Sequence, residues 1–345
     1  MDKNKVLLIA PDWMGLHEDI IEGLKQKGYD VSFIAEKRYL YDPLYSLSKR
    51  KYQKKEEDFL KEIELYWQEL LSSSNFSVAY DILFVIDGQA LHPCVFEILK
   101  KRNPQVLCAN YLFDRIQGVY AFDRNFPFFD RIFTFDPFDS EAFKIPLLQI
   151  YWAEPKTKGQ GEGYVIFGYG AFSHYRYKVF KAVADIIKQI SNNYLIALYY
   201  RKIKFPLLND FKNIFRRIMG LTEGVSTRQL KSGLITSKTI PTDEFRSIIA
   251  SSNVILDTSA PYQEGLTARF MWALGLGKKI ITTNNVVNRY DFYTPDQILM
   301  ISSDSIESKE HEIIRFLQTG CEISSNQREI INQYRIDNWL KTILE

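Results

Sequence analysis

The most informative chemical feature of the sequence is an apolar run that ends in a carboxylate and leads into a polar loop and a short helical pattern. The run is Val254 to Asp257, and the helix is predicted to begin at about Gly265, with Thr267 and Arg269 in its first turn. A second apolar strand, Lys279 to Thr283, follows. This order is typical of a parallel sheet, in which ligands bind at the carboxyl ends of the strands and helix N-termini attract phosphate. The residues therefore predict an anion site in the loop.

Two more cations follow predicted strands of the same half of the chain. Ser173 is a predicted N-cap and places Arg176 in the first turn of a helix that follows the strand Tyr164 to Phe167. Arg201 ends the next predicted strand, from where its side chain can reach a diphosphate. For the segment Asn253 to Asn284, the alternative is an ordinary βαβ unit, in which Arg269 lies on the surface and Gly265 forms a turn.

The segment from Pro261 to Asn284, PYQEGLTARFMWALGLGKKIITTN, resembles the donor-binding segment of bacterial GT-B fold glycosyltransferases. The resemblance is to the enzymes of lipopolysaccharide, capsule and exopolysaccharide biosynthesis. They carry a P-x-Q-x-G-L-T-x-R pattern, a short helix, and G-K-K before an apolar strand that ends in T-N. The matching positions here are Pro261, Gln263, Gly265, Leu266, Thr267, Arg269, Gly277, Lys278, Lys279, Thr283 and Asn284. The match covers a small part of the chain.

One position departs from this pattern. The wider GT-B pattern has two Glu with seven residues between them, the first near the donor sugar and the second commonly on the nucleotide ribose. Glu264 supplies the first, but Trp272 occupies the second. Because Trp272 lies off the apolar stripe of the predicted helix, we expect it at the wall of a cleft, along the ligand.

The resemblance implies a metal-independent glycosyltransferase. It would move a sugar from a nucleotide-sugar donor to a hydroxyl of a growing cell-surface glycan or glycolipid, with the nucleotide sugar as substrate and no cofactor. The implied donor-site residues are Arg176, Arg201, Glu264, Gly265, Thr267 and Arg269.

An inverting enzyme of this kind also needs a general base in its N-terminal domain. Asp12, just beyond the first predicted strand, is the first candidate and Asp114 the second, with His17 and Asp87 behind them. Each of these residue types is more often a cap or turn residue, and a retaining enzyme can work without any of them.

Two other functions fit the same pattern. A nucleotide-sugar epimerase of related two-domain architecture would use the same donor site without an acceptor, and a non-catalytic sugar-nucleotide or polysaccharide-binding subunit would only bind. No D-x-D pair stands in a metal-binding loop context and the four histidines are scattered, so no metal site is expected.

Strands and helices alternate twice along the chain, which predicts an α/β protein with two Rossmann-like domains facing across a cleft. Residues 1–155 are expected to form the acceptor-side domain, 156–325 the donor domain, and 326–345 a C-terminal helix that crosses back to the first domain. The linker is placed at Pro155 to Gly163. A G-x-G-x-x-G fingerprint is absent from the first turn, which argues against a dehydrogenase.

Composition limits the partners. The 345 residues carry a formal net charge of +2, which does not favour nucleic acid. Three widely spaced cysteines suit a reducing compartment, and the N-terminal apolar run is too short for a signal peptide. The locally basic segment Arg201 to Lys231 predicts a solvated or membrane-facing surface. We expect a cytoplasmic protein, or one that is peripheral on the inner membrane face.

Overall fold

The chain divides into two compact units. The computed structural model describes residues 4–12, 15–36, 53–119, 122–156, 163–201, 206–219, 224–259 and 264–345. The first unit comprises Met1–Tyr151 and Tyr334–Glu345, and the second comprises Trp152–Gln333. The units therefore divide after residues 151 and 333. The boundaries predicted from the sequence lie after residues 155 and 325. Most of the predicted linker, residues 157–162, lies outside the described residues.

The first unit is built on a five-stranded sheet with strand order β2-β1-β3-β4-β5, parallel throughout. The strands are β1 (Lys5–Ala10), β2 (Asp30–Ala35), β3 (Ile82–Ile86), β4 (Leu107–Leu112) and β5 (Arg131–Thr134). The helices are α1 (Leu16–Gln26), α2 (Gln53–Ser72), α3 (Cys94–Arg102), α4 (Phe122–Asn125) and α5 (Pro137–Phe143), with 3-10 turns at Ile116–Gly118 and Phe126–Phe128. Every residue of β3, ILFVI, is buried, as in a strand that is covered on both faces.

The second unit is built on a six-stranded parallel sheet with strand order β11-β10-β9-β6-β7-β8. The strands are β6 (Ile166–Ala171), β7 (Tyr194–Tyr199), β8 (Ile235–Thr236), β9 (Val254–Asp257), β10 (Lys279–Thr282) and β11 (Ile298–Met300). The helices are α6 (His174–Ile187), α7 (Pro206–Ile218), α8 (Thr227–Leu230), α9 (Thr242–Ser251), α10 (Ala268–Gly275), α11 (Glu310–Gln318) and α12 (Ser325–Asn332), with 3-10 turns at Val287–Arg289 and Glu307–Lys309. The predicted fold class, two Rossmann-like α/β domains, is confirmed.

The last helix, α13 (Ile336–Leu344), belongs to the first unit. It packs on α1 at Gly23, where an added Cβ would lie 2.8 Å from Leu340 Cδ1. Trp339 is fully buried, with its ring centroid 4.7 Å from that of Tyr111 and 4.9 Å from that of Tyr151. The helical pattern predicted from residue 326 onwards is therefore two helices, and the first of them, α12, lies in the second unit.

In the second unit, β6 and β9 are adjacent and parallel, with Ile166 and Phe167 paired to Val254 and Ile255. Gly168 allows this part of β6 to pack closely, since an added Cβ would lie 3.1 Å from Leu256 Cβ. The residues that follow the two strands therefore emerge side by side at one sheet edge.

Candidate functional site

Asp257, the last residue of β9, organises the loop at this edge. Its carboxylate is buried, and Oδ1 accepts hydrogen bonds from Thr267 Oγ1 at 2.7 Å and Arg269 Nε at 3.0 Å. Oδ2 accepts from Thr282 Oγ1 at 3.3 Å, at the end of the neighbouring strand β10. One carboxylate thus ties the start of α10 to two strand ends.

The helix α10 begins later than its sequence suggests. Thr267 is the N-cap and its Oγ1 accepts from Phe270 N at 3.1 Å, so the first helical residue is Ala268 and not Gly265. Gly265 is buried in the preceding loop, and Glu264 is half-buried, with its carbonyl oxygen accepting from Asn284 Nδ2 at 2.9 Å. Two residues of the matched pattern, Pro261 and Gln263, lie outside the described residues.

Two guanidinium groups converge beside Gly170, near the end of β6. A Cβ built on Gly170 would lie 3.3 Å from Arg176 Nη1 and 3.3 Å from Arg269 Nη1. Arg176 Nε donates to Thr258 Oγ1 at 2.8 Å, and Arg269 Nη1 donates to the carbonyl oxygen of Tyr169. We call Arg176 and Arg269, whose guanidinium groups both lie close to Gly170, the arginine cluster. The absence of a side chain at Gly170 lets both cations approach the same point.

The two arginines differ in their surroundings. The Arg269 side chain is 9% exposed and forms an ion pair with Asp257, so it belongs to the fold as well as to the cluster. Arg176 is half-buried in the first turn of α6, where Ser173 Oγ caps the helix by accepting from Arg176 N at 3.1 Å. The predicted N-cap is present as expected.

Arg201 differs from the two residues of the arginine cluster in its contacts. It is exposed, two residues beyond β7, and makes no hydrogen bond or ion pair with the described residues. Because β7 is the neighbour of β6, Arg201 lies at the same edge of the sheet as Gly170.

The expected position of Trp272 at a cleft wall is wrong. Its side chain is 1% exposed, lies under the Arg246 guanidinium at 4.3 Å from the ring centroid, and meets Phe245 edge-on at 6.2 Å. All residues from Arg269 to Gly275 are buried, so α10 has no solvent-facing side and lying off an apolar stripe does not indicate exposure. Nor does Trp272 take over the role of the ribose-binding Glu by stacking on a ligand.

In the first unit, each of the five strands is followed by a carboxylate, and the parallel arrangement brings all of them to one edge. Three are buried, namely Glu36, Asp87 and Asp136. The other two, Asp12 and Asp114, are exposed. These are the first and second of the four candidate bases from the sequence, and they follow β1 and β4.

The buried carboxylates bond to the backbone. Asp87 Oδ1 accepts from Phe113 N at 2.7 Å and Asp114 N at 3.0 Å, and Asp136 caps α5. Asp87 therefore shapes the turn that presents Asp114. His17 stacks on Phe33 with ring centroids 4.9 Å apart. These contacts favour Asp12 and Asp114 over Asp87 and His17 as groups that can meet a substrate.

Glu36 is a feature that the sequence analysis missed. Its Oε1 accepts from Ala90 N at 2.6 Å, whereas Oε2 is buried with no hydrogen-bond partner among the described residues. Burial raises the pKa of the Glu36 carboxyl to about 8, and the nearby Asp87 adds to the rise while backbone hydrogen bonds oppose it. Its place directly after β2 was the only signal in the sequence.

Other reactive groups are less prominent. Burial raises the pKa of the Cys94 and Cys108 thiols to about 12, so neither is a nucleophile near neutral pH. In the part of the chain that the structure describes, no three His, Cys, Asp or Glu side chains group as metal ligands. No helix among those residues is long and apolar enough to cross a bilayer.

No family model matches the chain, and no curated protein matches it in sequence. Solved structures match its fold. The N-terminal domain of Candida albicans trehalose-6-phosphate phosphatase aligns with a TM-score of 0.59 at 11% identity, covering 99% of this chain and 96% of that one. A UDP-forming alpha,alpha-trehalose-phosphate synthase from Burkholderia vietnamiensis gives 0.59 at 10% identity, with 99% and 96% covered.

A UDP-N-acetylglucosamine 2-epimerase gives a TM-score of 0.50 at 12% identity, with 97% of this chain and 91% of that chain covered. At such identities the likeness shows the fold alone, which is the GT-B arrangement of two Rossmann-like domains in one chain.

Proposed function

We propose that the protein is a glycosyltransferase that moves a sugar from a nucleotide-sugar donor to a hydroxyl of a cell-surface glycan or glycolipid, of the lipopolysaccharide, capsule or exopolysaccharide type. The observation that carries the proposal is the arginine cluster beside Gly170. Two guanidinium groups at the carboxyl edge of a parallel sheet suit a diphosphate, whose leaving charge must be neutralised during transfer.

The remaining donor contacts follow from the loop before α10. Glu264 is the proposed partner of the donor sugar, and Gly265 and Thr267 hold the loop that carries it. Arg201 is proposed to contact the diphosphate from the end of β7. With these cations as the electrostatic component, the proposed reaction does not depend on a metal.

The proposed acceptor chemistry uses the exposed carboxylates of the first unit. An inverting transfer requires a base that removes the proton of the acceptor hydroxyl as the C–O bond to the sugar forms and the nucleoside diphosphate leaves. Asp12 is the first candidate and Asp114 the second, because both are exposed at the carboxyl edge of their sheet. A glycolipid acceptor would also bring the protein to the inner membrane face.

A nucleotide-sugar epimerase is the second candidate, favoured by the structural likeness to a UDP-N-acetylglucosamine 2-epimerase. The two reactions differ in what they need. A transferase releases the nucleoside diphosphate only when an acceptor is present, whereas an epimerase converts the sugar of the donor without an acceptor.

The test is to incubate the protein with nucleotide sugars, with and without extracted cell-surface glycolipid, and to analyse the nucleotide products. Acceptor-dependent release of nucleoside diphosphate, lost in Asp12→Asn or Asp114→Asn, supports the proposal. Conversion of the donor sugar without acceptor supports the epimerase. Binding without any turnover would contradict both and leave a binding subunit.

A further inference from the structure

The helix α7 exposes its large apolar side chains. Phe211, Ile214, Phe215 and Ile218 are 72%, 55%, 62% and 76% exposed, and Met219 directly after the helix is 59% exposed. The spacing of three, four and seven residues places the first four on one face. A surface helix ordinarily packs its apolar face against the core, whereas the apolar face of α7 points to solvent.

Polar contacts hold α7 in this orientation. Asn213 is buried, its Oδ1 accepts from Gly224 N at 2.8 Å, and its Nδ2 donates to Gly224 O at 3.0 Å. Asp210 Oδ1 accepts from Thr227 N at 2.8 Å. At about 100° per residue, Asn213 lies roughly opposite Phe211 on the helix. The segment that follows α7, from Gly224 to the start of α8, thus binds the polar side of α7 and leaves the apolar side outward.

Cations stand beside the apolar face. Lys212 is exposed, Arg216 is half-buried, and they are one turn apart along one flank of the face. The surrounding segment, Arg201 to Lys231, carries eight Lys and Arg residues against Asp210 and Glu223. An apolar helical face with a basic flank is the arrangement that suits the interface of an anionic bilayer.

The size of the face argues against a protein partner. A helix of 13 residues is about 20 Å long and its face about 10 Å wide, which offers roughly 200 Å². A stable protein interface needs about 800 Å² from each partner. A bilayer requires no matching surface and accommodates a narrow apolar ridge.

We propose that α7 is a membrane-docking helix, which lies in the plane of an anionic lipid surface with Phe211, Phe215 and their neighbours among the acyl chains and Lys212 and Arg216 at the lipid phosphates. The inference rests on the exposure, anchoring and charge of α7, and holds whether or not the protein transfers sugars.

The test is co-sedimentation of the full chain with vesicles of phosphatidylcholine alone and of phosphatidylcholine mixed with phosphatidylglycerol. We expect binding to the mixed vesicles that weakens as salt is added, and little binding to the neutral ones. Phe211→Ser with Phe215→Ser should lower the affinity for mixed vesicles roughly tenfold or more. Leu65→Ser is the matched control, because Leu65 is 58% exposed on α2 of the other unit.

A charge variant tests the same surface independently. Lys212→Glu with Arg216→Glu should abolish the preference for anionic vesicles, whereas Lys101→Glu, at an exposed position on α3, should not. Circular dichroism and melting curves check that each variant is folded. If the Phe211→Ser, Phe215→Ser variant is not folded, the charge variant alone tests the proposal.

Three outcomes would overturn the proposal: no binding of the unchanged protein to mixed vesicles, equal binding to both vesicle types, or retained binding in both α7 variants. Sedimentation velocity gives a fourth. A concentration-dependent dimer that Phe211→Ser with Phe215→Ser disperses would assign the face to a second copy of the chain.

Discussion

Arg269 serves the fold and the candidate donor site at once. Its ion pair with Asp257 is buried on both sides, so Arg269→Ala leaves a buried carboxylate whose remaining side-chain partners among the described residues are the hydroxyls of Thr267 and Thr282. Breaking a buried pair costs about 3–5 kcal/mol, and we expect a loss of that order in the free energy of unfolding from urea titration. A loss below about 1 kcal/mol would show that Asp257 does not depend on this arginine. A fall in activity of Arg269→Ala is therefore not by itself evidence for donor contact.

Trp272 belongs to the core of the second unit, in contact with Phe245 and Arg246. We expect Trp272→Ala to lose about 3–5 kcal/mol of stability, because the indole leaves a cavity in a helix that is buried all round. Urea titration measures the loss, with Leu65→Ala as the exposed control. If the variant is as stable as the unchanged protein, Trp272 is not part of the core. Trp272→Glu should likewise unfold at lower temperature and should not gain nucleotide affinity.

Glu36 makes the stability of the first unit depend on pH. Its pKa is raised from an ordinary 4.5 to about 8 in the folded protein, so folding favours the protonated form. The contribution is fully present below about pH 4.5 and is lost as the pH rises through about 8. Glu36→Gln stays neutral, and its stability should exceed that of the unchanged protein increasingly as the pH rises.

The measurement is urea unfolding of both proteins across that pH range. Glu97→Gln, at an exposed position on α3, is the control and should run parallel to the unchanged protein. If Glu36→Gln also runs parallel, Glu36 ionises in the folded state as it does in the unfolded chain.

At the scale of elements, the packing of α10 against Trp152 depends on the absence of a side chain at Gly275. An added Cβ would lie 2.1 Å from Trp152 Cδ2, and the indole is held by a hydrogen bond from Nε1 to Ile331 O at 2.9 Å. We expect Gly275→Ala to cost about 1–3 kcal/mol through overpacking, measured by urea titration. Gly320→Ala is the control, because nothing lies within 4 Å of its added Cβ. Equal stability of the two variants would mean that α10 and Trp152 move apart freely.

The elements themselves were largely predictable from the sequence. Continuous apolar runs such as ILFVI in β3 identify buried parallel strands, and the residues after them fall at one sheet edge because the strands are parallel. The start of α10 was predicted about three residues too early, because Thr267 is fixed as N-cap by its hydrogen bond to Asp257 at the end of β9. The position of Trp272 could not be predicted from helical periodicity, since α10 is buried on every side.

The candidate site was predictable as a set of residue types but not as an arrangement. Arg176 and Arg269 were both identified from first helical turns, and their meeting at Gly170 depends on β6 and β9 being neighbours in the sheet. The sequence contains no local signal for the ion pair of Arg269 with Asp257. Asp257 and Arg269 lie in the same strand–loop–helix segment, but their pairing depends on the course of the loop between them, which strand and helix periodicity do not predict.

At the scale of the whole molecule, the second unit carries two cations that are proposed to bind a diphosphate, and the first unit carries exposed carboxylates that are proposed to meet an acceptor. The proposed sugar transfer depends on the binding of a nucleotide sugar to the second unit through the arginine cluster. Arg176 is the residue that tests it, because Arg269 also supports the fold.

The most direct test is the melting temperature of the protein, titrated with a panel of nucleotide sugars and with the matching free sugars. We predict that at least one nucleotide sugar raises the melting temperature and that Arg176→Ala weakens its binding roughly tenfold or more, as expected for a lost charge-assisted contact. Lys178→Ala, which removes an exposed cation two residues away that pairs with Asp304, should bind as the unchanged protein does. A panel in which no nucleotide sugar shifts the melting temperature, or an Arg176→Ala variant with unchanged affinity, would contradict the account.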